Sequence, residues 1–184
     1  GGRWGHSVAR RADGDRLVAG APWQNDGGVA AFFAKLHPSP PPSARRLSES
    51  HQQQWFSVGD DALVAPGGSD APGPVAVALA ADGQTLALGR PGPQGHVRVY
   101  DRAGGNGVAA TWAQRGGDVV ASPLGNASVA LSADGSTLAV GDIVVATGHA
   151  AARVFAWSGV AWGQIGDAVE HAPPASLPSE TTHL

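Results

Sequence analysis

The sequence has no cysteine and a single lysine, Lys35, and only 15% of its 184 residues are charged. The absence of cysteine excludes disulfides, thiolate nucleophiles and cysteine-ligated zinc or iron–sulfur sites. A net charge of -3 argues against nucleic acid as a partner. The longest apolar stretch, residues 141–157, is interrupted by Asp142, His149 and Arg153, so no membrane span is predicted. The length suits one domain of roughly 100–200 residues.

An internal repeat is the main feature that the sequence does contain. The tripeptide Ala-Asp-Gly occurs three times in the same frame, in HSVARRADGDRLVAGAP from His6, VAVALAADGQTLALGRP from Val75 and ASVALSADGSTLAVGD from Ala127. The second and third copies lie about 50 residues apart, a period typical of repeat architectures. The chain is therefore predicted to repeat one structural unit three times.

The repeat continues downstream of each tripeptide. A third segment follows in each copy, GGVAAFFAK, GHVRVYDR and AARVFAWSG, and a fourth segment then opens at Trp55, Trp112 or Trp162. In each copy a glycine follows that tryptophan four residues later. We interpret the three tryptophans as packing residues in the outer part of each unit.

Each of these segments is short, alternates Val or Leu with Ala or polar residues, and is bounded by Gly, Asp or Pro, which is typical of β-strands. In the second copy Val97 and Val99 are predicted to point to one face and Arg98 and Tyr100 to the other. Asp-Gly between two such runs favours a two-residue type I′ hairpin turn. The aspartates Asp13, Asp82 and Asp134 are therefore interpreted as turn formers.

Four antiparallel strands in about 50 residues are typical of a blade of a β-propeller. The fold class predicted is thus all-β, with three four-stranded antiparallel blades. Their ranges are 4–66, 73–122 and 125–170. Residues 37–54, rich in proline, are predicted to be an exposed insertion in the first blade, and residues 171–184 a disordered tail.

The first copy resembles the FG-GAP repeat, which forms the propeller of integrin α chains and of many extracellular proteins. The resemblance rests on Trp4-Gly5 in place of Phe-Gly, on Gly20-Ala21-Pro22, and on Gly28-Val29 leading into two phenylalanines. SADGSTLAVGD and HVRVYD are also similar to blades of WD-repeat propellers. The resemblance implies a recognition module at a cell surface or outside the cell.

Many FG-GAP blades carry a calcium loop with several carboxylates at alternate positions. This chain offers Asp13 and Asp15 in the first hairpin, Asp82 alone in the second and Asp134 alone in the third, too few for the 6–8 oxygens that calcium takes. Its seven histidines show no metal-ligand spacing, and we interpret His96 and His149 as solvated or hydrogen-bonded residues near the start of the third strands. No catalytic residue, cofactor site or metal ligand is predicted.

Three blades are fewer than the 4–8 that close a propeller ring. The chain opens on Gly1-Gly2-Arg3 without an initiating methionine, so the first expectation is that it is part of a larger propeller. Self-association of two copies into a six-bladed ring through open blade edges, and an open three-blade array, are the alternatives.

The functional hypotheses follow from this architecture. The first is a non-enzymatic binding or scaffold module, recognising a protein or glycan partner at a cell surface. The rival is a propeller-type hydrolase acting on glycans or esters, with polar residues converging on a channel. A third is an inactive fragment of a larger propeller protein.

Overall fold

The computed structural model describes residues 7–21, 29–36, 54–64, 76–90, 96–103, 111–119, 128–144 and 149–171. Within these ranges every regular element is a β-strand. The strands are β1 (Ser7–Arg10), β2 (Arg16–Ala21), β3 (Val29–Leu36), β4 (Gln54–Val64), β5 (Ala76–Leu79), β6 (Thr85–Arg90), β7 (His96–Ala103), β8 (Thr111–Gln114), β9 (Ser128–Leu131), β10 (Thr137–Val144), β11 (His149–Trp157) and β12 (Trp162–His171).

The strands form three sheets, each with four strands in chain order: sheet 1 is β1–β4, sheet 2 is β5–β8 and sheet 3 is β9–β12. Every neighbouring pair is antiparallel, as in Leu86 opposite Tyr100 and Leu138 opposite Phe155. The prediction of an all-β chain with three antiparallel sheets is therefore confirmed for the described residues.

Sheet 2 lies between the other two sheets. All six residues of its second strand, β6, are buried. One face of sheet 2 packs on sheet 1, in a cluster formed by Val18, Val77, Leu86, Leu88 and Tyr100, with Ala9, Leu79 and Trp112 at its margin. The other face packs on sheet 3, in a cluster formed by Ala78, Ala87, Val97, Val99, Val119, Leu138, Val140 and Phe155, with Val129, Leu131 and Trp162 at its margin.

The two clusters confirm the predicted alternation in β7. Val97 and Val99 belong to the cluster facing sheet 3, whereas Tyr100 belongs to the cluster facing sheet 1. Trp112 and Trp162 pack at the margins of the clusters, as expected for packing residues. Burial of a side chain such as Leu138, which is 0% exposed, stabilises the fold by about 1.5–3 kcal/mol.

The sheets meet mainly through their first and second strands. β5 contacts both β1 and β9, and further contacts join β2 to β5 and β6 to β9. By contrast, the fourth strand of sheet 3, β12, is exposed along most of its length. The described part of the stack is therefore held together near its first strands.

Several sequence predictions fall beyond these ranges. Of the predicted insertion, only Gln54 is described, as the first residue of β4, and residues 37–53 lie outside the described residues. β12 ends at His171, the first residue of the predicted tail, and residues 172–184 also lie outside. Among the described residues there is no helix with the length and apolarity needed to cross a bilayer.

Candidate functional site

The three Ala-Asp-Gly turns come together at one edge of the stack. We call the surface formed by residues 11–15, 80–84 and 132–136 the turn edge. The N–H of Ala12 donates to the carbonyl of Ala81 at 3.2 Å, and the N–H of Ala81 donates to the carbonyl of Ala133 at 3.0 Å. Equivalent residues of the three repeats are thus joined in series, turn to turn, by backbone hydrogen bonds.

The turns differ from the two-residue type I′ hairpin that Asp-Gly predicted. The N–H of Arg11 donates to the carbonyl of Arg16, so residues 12–15 form a four-residue loop. Within it the N–H of Gly14 donates back to the carbonyl of Arg11, and Gly14 has a φ of +79°. Four-residue hairpin loops are usually built around a type I turn, and the glycine that follows that turn supplies the left-handed residue.

A backbone hydrogen bond accepted by the side chain of each turn aspartate explains the wider loop. Oδ1 of Asp13, Asp82 and Asp134 accepts the backbone N–H two residues later, at 3.0, 2.9 and 3.0 Å respectively. This contact mimics a backbone turn and stabilises the loop locally. The interpretation of the three aspartates as turn formers is confirmed, although the turn itself was wrongly predicted.

The carboxylate of Asp134, in the third turn, accepts several hydrogen bonds from its own loop. It accepts hydrogen bonds from the hydroxyl of Ser132 at 2.6 Å and from the N–H and hydroxyl of Ser136. These donors, that of Ser132 above all, lower the pKa of Asp134 from 3.8 to about 2. In the first turn Asp13 is paired with Arg11 at 2.9 Å. The turn edge therefore presents exposed carboxylates in fixed positions, each already engaged by its own loop.

A second polar cluster, the Arg115 cluster, lies between sheets 2 and 3. The guanidinium of Arg115 donates from Nε to Asp101 Oδ2 at 2.6 Å, from Nη1 to the Gly135 carbonyl at 2.8 Å and from Nη2 to Thr85 Oγ1 at 3.3 Å. The hydroxyl of Thr85 in turn donates to Asp101 at 3.1 Å. Charge-assisted bonds of this kind are stronger than neutral ones, so the cluster ties the edge of sheet 2 to the turn of sheet 3.

Aromatic side chains of sheet 3 complete the Arg115 cluster. The guanidinium of Arg115 lies 5.8 Å from the ring centroid of Trp157, within cation–π range. The indole Nε1–H of Trp162 donates to the backbone carbonyl of Arg115 at 3.1 Å. The rings of Trp157 and Trp162 are 5.5 Å apart. Together these contacts use both the side chain and the backbone of one residue of sheet 2 to hold sheet 3.

The third cluster lies within sheet 2. Arg98 donates from Nε and Nη2 to the two carboxylate oxygens of Asp118, both at 2.7 Å, and Gln114 donates to the same carboxylate. Hydrogen bonding to Arg98 lowers the pKa of Asp118, and burial raises the pKa of the neighbouring Tyr100. This bidentate pair fastens the segment after β8 to β7.

Arg16 is an unusual residue of sheet 1. It occupies the first position of β2, opposite Ala34, where the other repeats have Thr85 and Thr137. It is only 9% exposed, its Nη1 has no hydrogen-bond partner among the described residues, and burial lowers its pKa. Sheet 1 therefore carries a buried cationic side chain at the position where the other two sheets carry a threonine.

The candidate residues from the sequence are distributed without convergence. His96 and His149 are the first residues of β7 and β11, as predicted, and His171 ends β12. The other four histidines lie outside the described residues. Within the described part of the chain, no three His, Cys, Asp or Glu side chains come close enough to hold one metal ion.

Arg115 is the residue that the sequence analysis missed. It precedes the glycine of the Trp-x-x-x-Gly pattern, where the other repeats have Val58 and Ile165. A cation at a position that is apolar in the other two copies is a signal of a specific contact, and comparison of the repeats could have found it.

Comparisons of the chain with protein-family models, with curated proteins and with solved structures give no match.

Proposed function

We propose that the chain is a non-enzymatic binding or scaffold module with propeller-type blades, which recognises a protein or glycan partner at a cell surface or outside the cell. The observation that carries this proposal is the way in which the described polar groups are used. The Arg115 cluster, the Arg98–Asp118 pair and the turn aspartates all bind groups of this chain and fasten strands, turns or sheets to one another.

The geometry of the sheets supports the propeller-type arrangement. Each sheet is a meander of four strands, and the first strands β1, β5 and β9 contact one another in series. Sheets that meet along their first strands leave their fourth strands outermost, as in propeller blades. The resemblance of the first repeat to FG-GAP repeats supports an extracellular or cell-surface location.

Rigidity is the property that suits such a stack to recognition. The turn edge is held by hydrogen bonds from loop to loop, so a ligand binding there meets loops that are already ordered. Binding to a preorganised surface avoids the entropy cost of ordering loops in the complex. Loops on a rigid scaffold are also where proteins commonly carry recognition.

The test compares binding with turnover on the full chain. The immobilised protein is exposed to an array of defined glycans and to a panel of purified extracellular-matrix proteins. In parallel it is incubated with nitrophenyl esters and nitrophenyl glycosides. Saturable binding to a glycan or matrix protein without release of nitrophenol supports the module. A nitrophenol-releasing activity that co-purifies with the protein favours the hydrolase alternative. Failure to bind any glycan or matrix protein contradicts the proposal.

Matched variants locate the surface. Asp82→Asn and Asp134→Asn each remove a charge from the turn edge but keep the Oδ1 acceptor that the loop requires. Asp167→Asn makes the same change at an exposed position of β12. We expect the first two variants to weaken ligand binding and the third to leave it unchanged, and equal effects would place recognition elsewhere.

A further inference from the structure

The same junction between sheets occurs twice within the chain. In both cases the second strand of one sheet supplies a small or β-branched residue that packs on larger residues of the following sheet, and at the junction between sheets 2 and 3 the third strand, β7, also contributes. At the junction between sheets 2 and 3, Ala87 and Val99 of sheet 2 belong to the same cluster as Leu138 and Phe155 of sheet 3. At the junction between sheets 1 and 2, Val18 of sheet 1 joins a cluster with Leu86, Leu88 and Tyr100.

The outer face of sheet 3 repeats the face by which sheet 2 binds sheet 3. Ala139 lies opposite Val154 in sheet 3, as Ala87 lies opposite Val99 in sheet 2. Ala87 and Val99 are 0% exposed, whereas Val154 is 39% exposed and Ala139 is also exposed. The register extends this apolar row to Ile165 on β12, which is 52% exposed.

The outer face of sheet 1 carries the other half of the junction. Val8 precedes its turn by the same interval as Val77 and Val129 precede theirs. Val77 is 8% exposed and Val129 packs against sheet 2, but Val8 is 59% exposed. Leu17 is likewise partly exposed, although its counterpart Leu86 is 1% exposed.

The hydrogen bonds of the turn edge have the same direction at each junction. The alanine N–H of one turn donates to the alanine carbonyl of the following turn, from Ala12 to Ala81 and from Ala81 to Ala133. If the same bond continued beyond the third turn, its donor would be the N–H of Ala133. If it continued before the first turn, its acceptor would be the carbonyl of Ala12. Both alanines are exposed.

We propose that the outer face of sheet 3 packs on the outer face of sheet 1 of a second copy of this chain, and that the reciprocal contact closes a ring of two copies. The occupant is a second copy because this chain carries both halves of a junction that it already forms twice internally. Sheet 3 of each copy meets sheet 1 of the other, so a two-fold axis relates the copies, and the ring closes because the three sheets of each copy form half of it. Six sheets lie within the range of closed propellers.

Native mass tests this proposal directly. The full chain is studied by sedimentation equilibrium and by size exclusion with light scattering, from low micromolar to the highest soluble concentration. Val154→Glu places a carboxylate on the outer face of sheet 3, and Val8→Glu places one on the outer face of sheet 1. Val160→Glu is the matched control, because Val160 is 81% exposed in the turn between β11 and β12 and lies outside both faces.

We expect a dimer for the unmodified chain and for Val160→Glu, and a dissociation constant more than about tenfold higher for each of the other two variants. Circular dichroism spectra that match the unmodified chain show that these variants remain folded. A mixture of Val8→Glu with Val154→Glu retains one intact junction per mixed dimer, so it should dimerise more tightly than either variant alone.

Three results would overturn the proposal. The first is a monomer at every concentration, and the second is a series of growing oligomers without a closed dimer. The third is a dimer that Val8→Glu and Val154→Glu leave unchanged, because association would then use another surface. The inference does not depend on the ligand of the module, so a dimer that binds neither panel would leave it intact.

Discussion

Gly135 offers a direct test of how sheet 3 is seated on sheet 2. It is buried in the third turn, with a φ of +68°, and a Cβ placed on it would lie 2.8 Å from both Cβ and Oγ1 of Thr85. Thr85 is itself 3% exposed and takes part in the Arg115 cluster, so it has little freedom to move away. Gly135→Ala should therefore strain the backbone and push the two sheets apart.

The magnitude follows from these two effects. Placing alanine in the left-handed region costs about 1–2 kcal/mol. The overlap with a buried neighbour adds about 1–3 kcal/mol. Gly166→Ala is the matched control, because Gly166 has a φ of +66°, close to that of Gly135, and nothing lies within 4 Å of the added Cβ. It should incur only the first cost, so the two variants should differ by about 1–3 kcal/mol.

Urea unfolding followed by tryptophan fluorescence and by circular dichroism measures this difference. Coincident transitions from the two probes justify comparing free energies of unfolding. If Gly166→Ala destabilises the protein as much as Gly135→Ala, the contact between the third turn and Thr85 does not limit the packing of the sheets, which would refute the assigned seating of sheet 3.

Three further predictions concern other contacts. Arg115→Met should lower the free energy of unfolding by about 1–3 kcal/mol and shift tryptophan emission to longer wavelength, whereas Arg98→Met, which breaks a pair within one sheet, should leave the emission unchanged. Asp134 should titrate near pH 2 by carbon-detected NMR. Because folding lowers its pKa, the stability that Asp134 contributes should be present above about pH 4 and lost as the pH falls to about 2. Titration of Asp134 near the ordinary pKa of an aspartate would contradict the assigned hydrogen bonds. Leu138→Ala should cost about 2–5 kcal/mol in thermal or urea unfolding, against a change near zero for Val160→Ala, and similar costs would refute the assigned core.

The sequence predicted the sheets because their signals are local. The alternation of side chains in β7 predicted that Val97 and Val99 lie on one face of the sheet and Tyr100 on the other. The recurrent Ala-Asp-Gly predicted where the turns lie. The turn type was wrong because Asp-Gly is compatible with both a two-residue and a four-residue loop, and the Asp Oδ1 contact with the N–H two residues later stabilises the wider one. Arg115 was missed because its side-chain partners lie 14, 20 and 30 residues away, beyond the reach of any local pattern.

The chain of hydrogen bonds along the turn edge also restricts where this protein can tolerate changes in length. The three loops at residues 12–15, 81–84 and 133–136 are equally long, and an inserted residue would displace both turn-to-turn hydrogen bonds in the middle loop and one of them in either of the others. The connections between third and fourth strands differ in length, from 17 residues between β3 and β4 to 4 between β11 and β12. A tag, a fluorophore loop or a circularly permuted terminus is therefore best placed in a connection between a third and a fourth strand. The three loops of the turn edge must keep their length, because it sets the alignment of one sheet on the next.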